Sequence, residues 1–160
     1  MAFDGLMTAA LVKELSDTLT GGRIVKIAQP EKDELQLQIK NYDTYKLLIS
    51  ADASLPLLYL TEDSKQSPLT APNFCMLLRK HLIGGRLLDV RTVQDERILF
   101  FDFQCVNEMG DLVKRTLAAE LMGRYSNLVL IREENKIVDA LKRVDFEDSA
   151  VRQLLPGLTY

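Results

Sequence analysis

Residues 84–131 read GGRLLDVRTVQDERILFFDFQCVNEMGDLVKRTLAAELMGRYSNLVLI, and this stretch predicts the fold of the chain. Runs rich in Val, Ile, Leu and Phe alternate with short segments of Gly, Asn, Asp and Glu, which is the pattern of β-strands joined by turns. The polar turns fall at 94–96, 107–111 and 122–127. Polar loop residues on a rigid scaffold are better functional candidates than core residues, so we look for function at these turns.

The rest of the chain adds two helices and further strands to this pattern. Apolar residues recur at helical spacing over 6–19, with Asp4 as N-cap and Gly21 as the stop. A second helix is predicted over 72–83, with Pro72 at its first turn and Gly84 after its end. Further strands are predicted over 22–27, 34–40, 45–49, 57–60 and 137–141. A polar connection is predicted at 62–71 and a helical turn at 149–155.

The two parts of the chain follow the same plan. Each of the segments 1–61 and 72–142 reads as a helix, a Gly-Gly-Arg triplet and four strands. Neither set of strands could bury its apolar face alone, whereas two sheets stacked face to face could. We therefore expect an α+β fold, a two-layer β-sandwich with one helix from each half at its ends or edges.

Composition narrows the classes of function. The chain has 160 residues and a formal net charge of −3, so any role with nucleic acid must rest on a local patch. The N-terminus lacks a basic leader, and no apolar run approaches the roughly 18 residues that span a bilayer, so we expect a cytoplasmic protein without membrane insertion. Cys75 and Cys105 are predicted to be buried free thiols, and with a single histidine a zinc site is not expected.

The sequence contains no pattern typical of a catalytic site. The phosphate-binding patterns GxGxxG and GxxxxGK[ST] are absent, as is GxSxG, and no cofactor is predicted. His81 falls on the apolar face of the second helix, so packing there competes with a catalytic role. Arg79 and Lys80 fall on the opposite face, where solvation competes with a binding role. The residues alone predict a non-enzymatic α+β binding module with arginine-bearing turns.

A set of motifs spread along the whole chain resembles the N-terminal domain of the NFACT proteins, the RqcH-like and NEMF-like family. Some bacterial members are named fibronectin- or fibrinogen-binding proteins. The motifs are FDG at 3–5, GGRI at 21–24, QP at 29–30, NFCMLLRKHL at 73–82, NEMGD at 107–111, ELMGRYSN at 120–127 and LPG at 155–157. The resemblance implies a fold similar to the N-terminal domain of formamidopyrimidine-DNA glycosylases.

The resemblance also implies a role in ribosome-associated quality control. Family members bind a large ribosomal subunit obstructed by peptidyl-tRNA and recruit tRNA for C-terminal tailing without mRNA. The family's Asp-Arg pair for tRNA falls on Glu96 and Arg97, with Asp95 adjacent, and Tyr125 replaces a common His. Further RNA-contacting candidates are Asp95, Arg124, Arg79, Lys80 and Arg23. The family continues into further domains after the segment that resembles this chain, so we expect an isolated domain of a longer protein.

Two other functions remain open at this point. The family's names imply fibronectin binding, with display at the surface despite the missing signal peptide, and an exposed sheet edge would be the means. The implied fold also raises the possibility of a DNA glycosylase, but fold does not imply function. Those enzymes begin with Pro and Glu after the initiator Met, where this chain has Ala2 and Phe3. We therefore expect no glycosylase activity.

Overall fold

The computed structural model describes residues 5–93, 97–144 and 153–160, with side chains from residue 8 onward. Within these ranges the chain forms two helices, α1 (Gly5–Leu19) and α2 (Asn73–Leu82), and nine strands. The strands are β1 (Arg23–Glu31), β2 (Glu34–Asn41), β3 (Asp43–Ser50), β4 (Leu57–Thr61), β5 (Arg86–Thr92), β6 (Ile98–Val106), β7 (Leu112–Glu120), β8 (Asn127–Arg132) and β9 (Lys136–Ala140). The α+β class is confirmed.

The nine strands form one antiparallel sheet in the order β4-β3-β2-β1-β5-β6-β7-β8-β9. The two separate sheets that the sequence predicted are therefore replaced by a continuous one. The reason is the seam, the pairing of β1 with β5 at Arg23 and Arg86. Four backbone hydrogen bonds close it. Ile24 N donates to Gly85 O at 3.0 Å, and Leu87 N donates to Gly22 O at 2.8 Å. Gly21 N donates to Leu87 O and Gly84 N to Ile24 O, each at 2.8 Å.

Both Gly-Gly pairs serve this seam. A Cβ atom on Gly22 would lie 2.7 Å from Ile39 Cγ2, and one on Gly85 would lie 2.8 Å from Cys105 Sγ. Real Cβ atoms do not approach that closely, so the backbone can pass only where a side chain is missing. The second glycine of each pair is thus required by close packing beside the seam, against β2 for Gly22 and against β6 for Gly85.

One apolar core is shared by both halves. It joins residues such as Leu37 and Leu47 of the first half to Phe101 and Phe103 of the second, all fully buried. Helix α1 packs mainly against β5, and α2 packs mainly against β1. Each helix therefore lies beside the seam and makes its main contact with a strand of the other half. Cys75 and Cys105 are buried free thiols within this core, as expected.

A smaller core lies on the opposite face of the second half. Successive residues of β6 alternate between the two cores, with Ile98 and Phe100 in the smaller one and Leu99 and Phe101 in the larger. The last residues cover the smaller core, and the ring of Tyr160 meets Phe100 edge-on at 6.2 Å. Residues 149–152 of the predicted helical turn lie outside the described residues, and the neighbouring Leu154 forms an isolated β-bridge with Val144.

Strand β1 is longer than predicted, because it continues through Pro30 to Glu31. The pairing with β2 shifts register between Ala28 and Glu31. Such an irregularity admits a proline, which cannot donate to the hydrogen-bond ladder. Across the described part of the chain, neither helix is long and apolar enough to cross a membrane.

Candidate nucleic-acid interface

Arg97 lies immediately before β6, at one end of the sheet. Its side chain is exposed, and its carbonyl accepts a 2.9 Å hydrogen bond from Leu121 N. In the adjoining ladder Ile98 pairs with Glu120, which in turn pairs with Asn127 of β8. The turn at 121–126 therefore projects from the same end of the sheet as Arg97. We call this end, made of Arg97 and residues 121–126, the arginine end.

Arg124 is the second exposed cation of the arginine end. It lies in a single 3₁₀ turn, Gly123–Tyr125, which Gly123 enters with a φ of 59°. The Arg124 guanidinium donates a 2.6 Å hydrogen bond to the Tyr125 hydroxyl and lies 4.8 Å from the centre of that ring. A guanidinium resting on an aromatic face is held in place while its remaining N–H groups stay available to a ligand.

Buried polar contacts hold the base of this turn. Ser126 Oγ accepts a 2.9 Å hydrogen bond from Met122 N, and the Asn127 amide bridges to the backbone of Lys142. Below the turn, Glu120 is fully buried and accepts a 2.5 Å hydrogen bond from the Tyr160 hydroxyl. The two exposed arginines are therefore carried by a fixed scaffold.

The structure unites only part of the predicted site. Arg97 and Arg124 come together at the arginine end through the β6–β7–β8 register. Asp95 and Glu96 lie outside the described residues, so the Glu96–Arg97 pair stays a prediction. The other candidates lie elsewhere, and each has its own partner.

Arg23, Arg79 and Lys80 do not join the arginine end. Arg23 donates to Gly84 O at 3.1 Å, and Arg79 Nε donates to Ile27 O at 2.9 Å. Both guanidinium groups therefore bind backbone carbonyls of their own fold. Lys80 forms a 3.3 Å ion pair with Glu108, which follows the far end of β6. The nine residues of β6 span about 27 Å, so Lys80 and Arg97 are at opposite ends of that strand.

One charged cluster was missed by the sequence reasoning. Asp102 lies inside the buried run of β6, and its side chain is 6% exposed. It accepts hydrogen bonds from Arg91 Nε at 2.8 Å and from Thr116 Oγ1 at 2.6 Å, while Lys114 Nζ lies 3.8 Å away. The available signal was the single carboxylate within the apolar run ILFFDF, since charged residues are rarely buried unless paired.

These contacts decide the charge of Asp102. Burial by itself raises the pKa of this carboxyl, but the hydrogen bonds from Arg91 and Thr116 and the charges of Arg91 and Lys114 outweigh it. The pKa of Asp102 is therefore lowered below its ordinary value, and the carboxylate is ionised at neutral pH. The Arg91 guanidinium also lies 4.5 Å from the centre of the Phe100 ring. The cluster fastens β5 to β6 and β7 and is a structural feature.

Metal binding has no support in the described ranges. Across 5–93, 97–144 and 153–160, no three His, Cys, Asp or Glu side chains come together as metal ligands would. The arginine end carries the guanidinium groups of Arg97 and Arg124 and the ring of Tyr125. Such groups bind phosphate and stacked bases rather than cations.

Comparison with known proteins shows which family the chain matches. The family described as NFACT N-terminal and middle domains matches residues 4–160. The Rqc2 homolog RqcH of Streptococcus suis is 39% identical over 162 residues, which is 100% of this chain and 29% of that protein. Ribosome quality control complex subunit 2 of Saccharomyces cerevisiae is 33% identical over 86% of this chain and 12% of its own length.

The fold matches a solved structure closely. The N-terminal domain of fibronectin-binding protein PavA from Streptococcus pneumoniae superposes with a TM-score of 0.94 at 38% identity. The match covers 99% of this chain and 61% of that one. The chain thus spans less than a third of the length of the bacterial relative quoted above, and less than two thirds of the solved structure.

Proposed function

The chain belongs to the NFACT family, and from this premise we propose that it is a tRNA-binding module of a ribosome-associated quality control factor. Two relatives are named for that process or its bacterial factor, Rqc2 homolog RqcH and ribosome quality control complex subunit 2. In this proposal the full-length protein acts in the cytoplasm on large ribosomal subunits that carry peptidyl-tRNA. The module contributes binding, and no catalytic step is assigned to it.

The observation that carries the proposal is that Arg97 and Arg124 lie at the same end of the sheet. Both side chains are exposed, and they approach from two different segments. A guanidinium offers a planar, permanently charged set of donors that matches phosphate oxygens. Since contacts to phosphate carry no base information, we infer that the module reads the shape of the RNA backbone rather than its sequence.

The acidic composition is compatible with such a patch. A net charge of −3 disfavours broad electrostatic attraction to RNA, so affinity must come from a few local contacts. We therefore expect weak binding by this domain alone, with further phosphate contacts made by other parts of the full-length protein.

A salt titration tests this function. We expect a mobility-shift or filter-binding assay to show tRNA binding at low salt that declines steadily as salt rises, because each phosphate contact releases counterions. Binding that does not depend on salt, or no binding even at the lowest salt, would contradict a phosphate-contact role. Double-stranded DNA of equal length serves as the competitor that reports selectivity for RNA shape.

Fibronectin binding is the second candidate, because the solved relative is named a fibronectin-binding protein. The structure offers β4 (Leu57–Thr61) at the edge of the sheet, with Tyr59 43% exposed. An extended peptide could add to such an edge as a further strand. Surface plasmon resonance with fibronectin and a charge-matched control protein tests this. Equal signals from the two proteins would show non-specific adhesion.

A further inference from the structure

A pocket of about 450 Å³ lies between the end of α2 and the β6–β7 hairpin, about one strand length from the arginine end. Lys80 and His81 of α2 form one wall, and Cys105, Asn107 and Glu108 form the hairpin side. Arg115 of β7 also lines it. All of these residues lie within the described ranges 5–93, 97–144 and 153–160.

Arg115 is the central group of this pocket. The residue is 8% exposed, and its Nη1 donates hydrogen bonds to Glu133 Oε1 at 2.7 Å and to Lys114 O at 3.1 Å. Within the described part of the chain, its buried Nε has no hydrogen-bond partner. The Nε atom is enclosed by protein, so the pocket is lined by other parts of the side chain. Glu133 holds the guanidinium through Nη1, and Arg115 contributes its permanent charge to the pocket wall.

Lys80 and His81 add two more donors at the pocket wall. Lys80 is paired with Glu108 at 3.3 Å, but their side chains are 63% and 83% exposed, so this surface pair opens at little cost. His81 is half-buried, and burial, Arg115 and Lys80 all lower the pKa of its imidazole, against a weaker opposing effect of Glu108 and Glu133. A bound anion would reverse part of that effect by favouring the imidazolium.

We propose that this pocket binds a phosphate group, with the Arg115 guanidinium as the anchor and Lys80 and His81 as rim donors. The lining favours this reading, because nitrogen donors from α2 and β7 line one cavity and a guanidinium matches phosphate oxygens. Three donors converging from two elements suit a tetrahedral anion better than a single carboxylate. The inference is independent of the arginine end and does not require it to bind RNA.

His81 provides a direct readout, because it is the only histidine of the chain. Its imidazole proton signals can be followed by NMR as pH is varied, first in sodium chloride and then in inorganic phosphate at matched ionic strength. We expect phosphate to raise the titration midpoint of His81, saturably with phosphate concentration. An identical midpoint in the two salts at every concentration would overturn the proposal.

Variants separate the pocket from general surface charge. Arg115→Lys keeps the charge but removes the planar guanidinium, and we expect it to weaken phosphate binding about tenfold or more. Lys80→Gln alters an exposed side chain and should weaken binding several-fold without affecting folding. Lys114→Gln is the matched control, since Lys114 precedes Arg115 in β7 and points to the other face of the sheet, toward Asp102. Equal losses in Lys80→Gln and Lys114→Gln would contradict the pocket even if Arg115→Lys failed to fold.

A second titration identifies the source of the phosphate. A short single-stranded oligoribonucleotide replaces inorganic phosphate, with the same His81 signal as readout. A shift with both probes assigns the pocket to RNA backbone, whereas a shift with inorganic phosphate alone assigns it to a small phosphorylated ligand. Loss of tRNA binding in arginine-end variants with an intact His81 response would separate this site from the proposed tRNA function.

Discussion

Replacing Asp102 with Asn tests the buried cluster that fastens β5 to β6 and β7. The carboxylate is 6% exposed and accepts charge-assisted hydrogen bonds from Arg91 and Thr116. Hydrogen bonds to charged groups contribute about 1.5–3 kcal/mol each. Asn can still accept from Thr116, and Arg91 is 43% exposed, so solvent compensates part of its loss. The variant also avoids the desolvation penalty of burying a charge, which offsets part of this loss and leaves an expected cost of about 2 kcal/mol.

Thermal and chemical unfolding measure this cost. A loss of about 2 kcal/mol corresponds to about 4–8 °C in Tm for a chain of this size. Asp43→Asn is the control, because Asp43 is an exposed strand aspartate, and it should change stability by less than about 0.5 kcal/mol.

The difference between Asp102→Asn and wild type also depends on pH. The folded pKa of Asp102 is lowered from the ordinary 3.8, so its stabilising contribution is complete above that value. That contribution is lost as pH falls through the folded pKa, so the difference in stability between wild type and Asp102→Asn should shrink there. An Asp102→Asn variant with wild-type Tm at neutral pH would refute the reasoning. So would a stability difference that grows in acid.

Two further predictions concern the seam and the pocket. Gly85→Ala would place a Cβ atom 2.8 Å from Cys105 Sγ, so we expect a loss of about 1–3 kcal/mol in chemical denaturation. Unchanged stability would show that Cys105 and the chain around it move to make room. Burial has the largest effect on the pKa of His81, and together with Arg115 and Lys80 it lowers that pKa below 6.5. As pH falls, the His81 imidazole is therefore protonated in the unfolded chain at a higher pH than in the folded chain. The free energy of unfolding should therefore fall as pH decreases from 6.5 through the folded pKa, and His81→Gln should remove that part of the pH dependence; an unchanged profile would contradict it.

The helices and strands could be predicted because the apolar periodicity that produces each of them involves residues close together in sequence. In β2, Leu35, Leu37 and Ile39 are buried as their alternation indicates. Gln36 breaks the pattern and is 8% exposed, because its amide donates a 2.7 Å hydrogen bond to Asp63 O in the connection after β4. A contact between residues 27 positions apart leaves no trace in the period of a strand.

The arrangement of the two halves could not be predicted in the same way. The seam rests on one residue pair and a few backbone hydrogen bonds, and backbone groups are the same in every sequence. The GGR triplets mark the segments that form the seam, but they do not show which strands pair there. Likewise, Arg79 and Lys80 are adjacent in sequence and both cationic, yet one binds the Ile27 carbonyl and the other Glu108. Only the packing of α2 on β1 distinguishes them.

The tRNA affinity of Arg97→Ala and Arg124→Ala, measured across a salt series, tests the proposed function most directly. Arg132→Ala is the matched control, because Arg132 is an exposed arginine at the far end of β8. All three changes are at exposed positions, so stability should change by less than about 0.5 kcal/mol. Each arginine-end variant should weaken tRNA binding and reduce the salt slope by about 1, whereas Arg132→Ala should do neither. Wild-type affinity and slope in both arginine-end variants, or an equal loss in Arg132→Ala, would contradict the assignment.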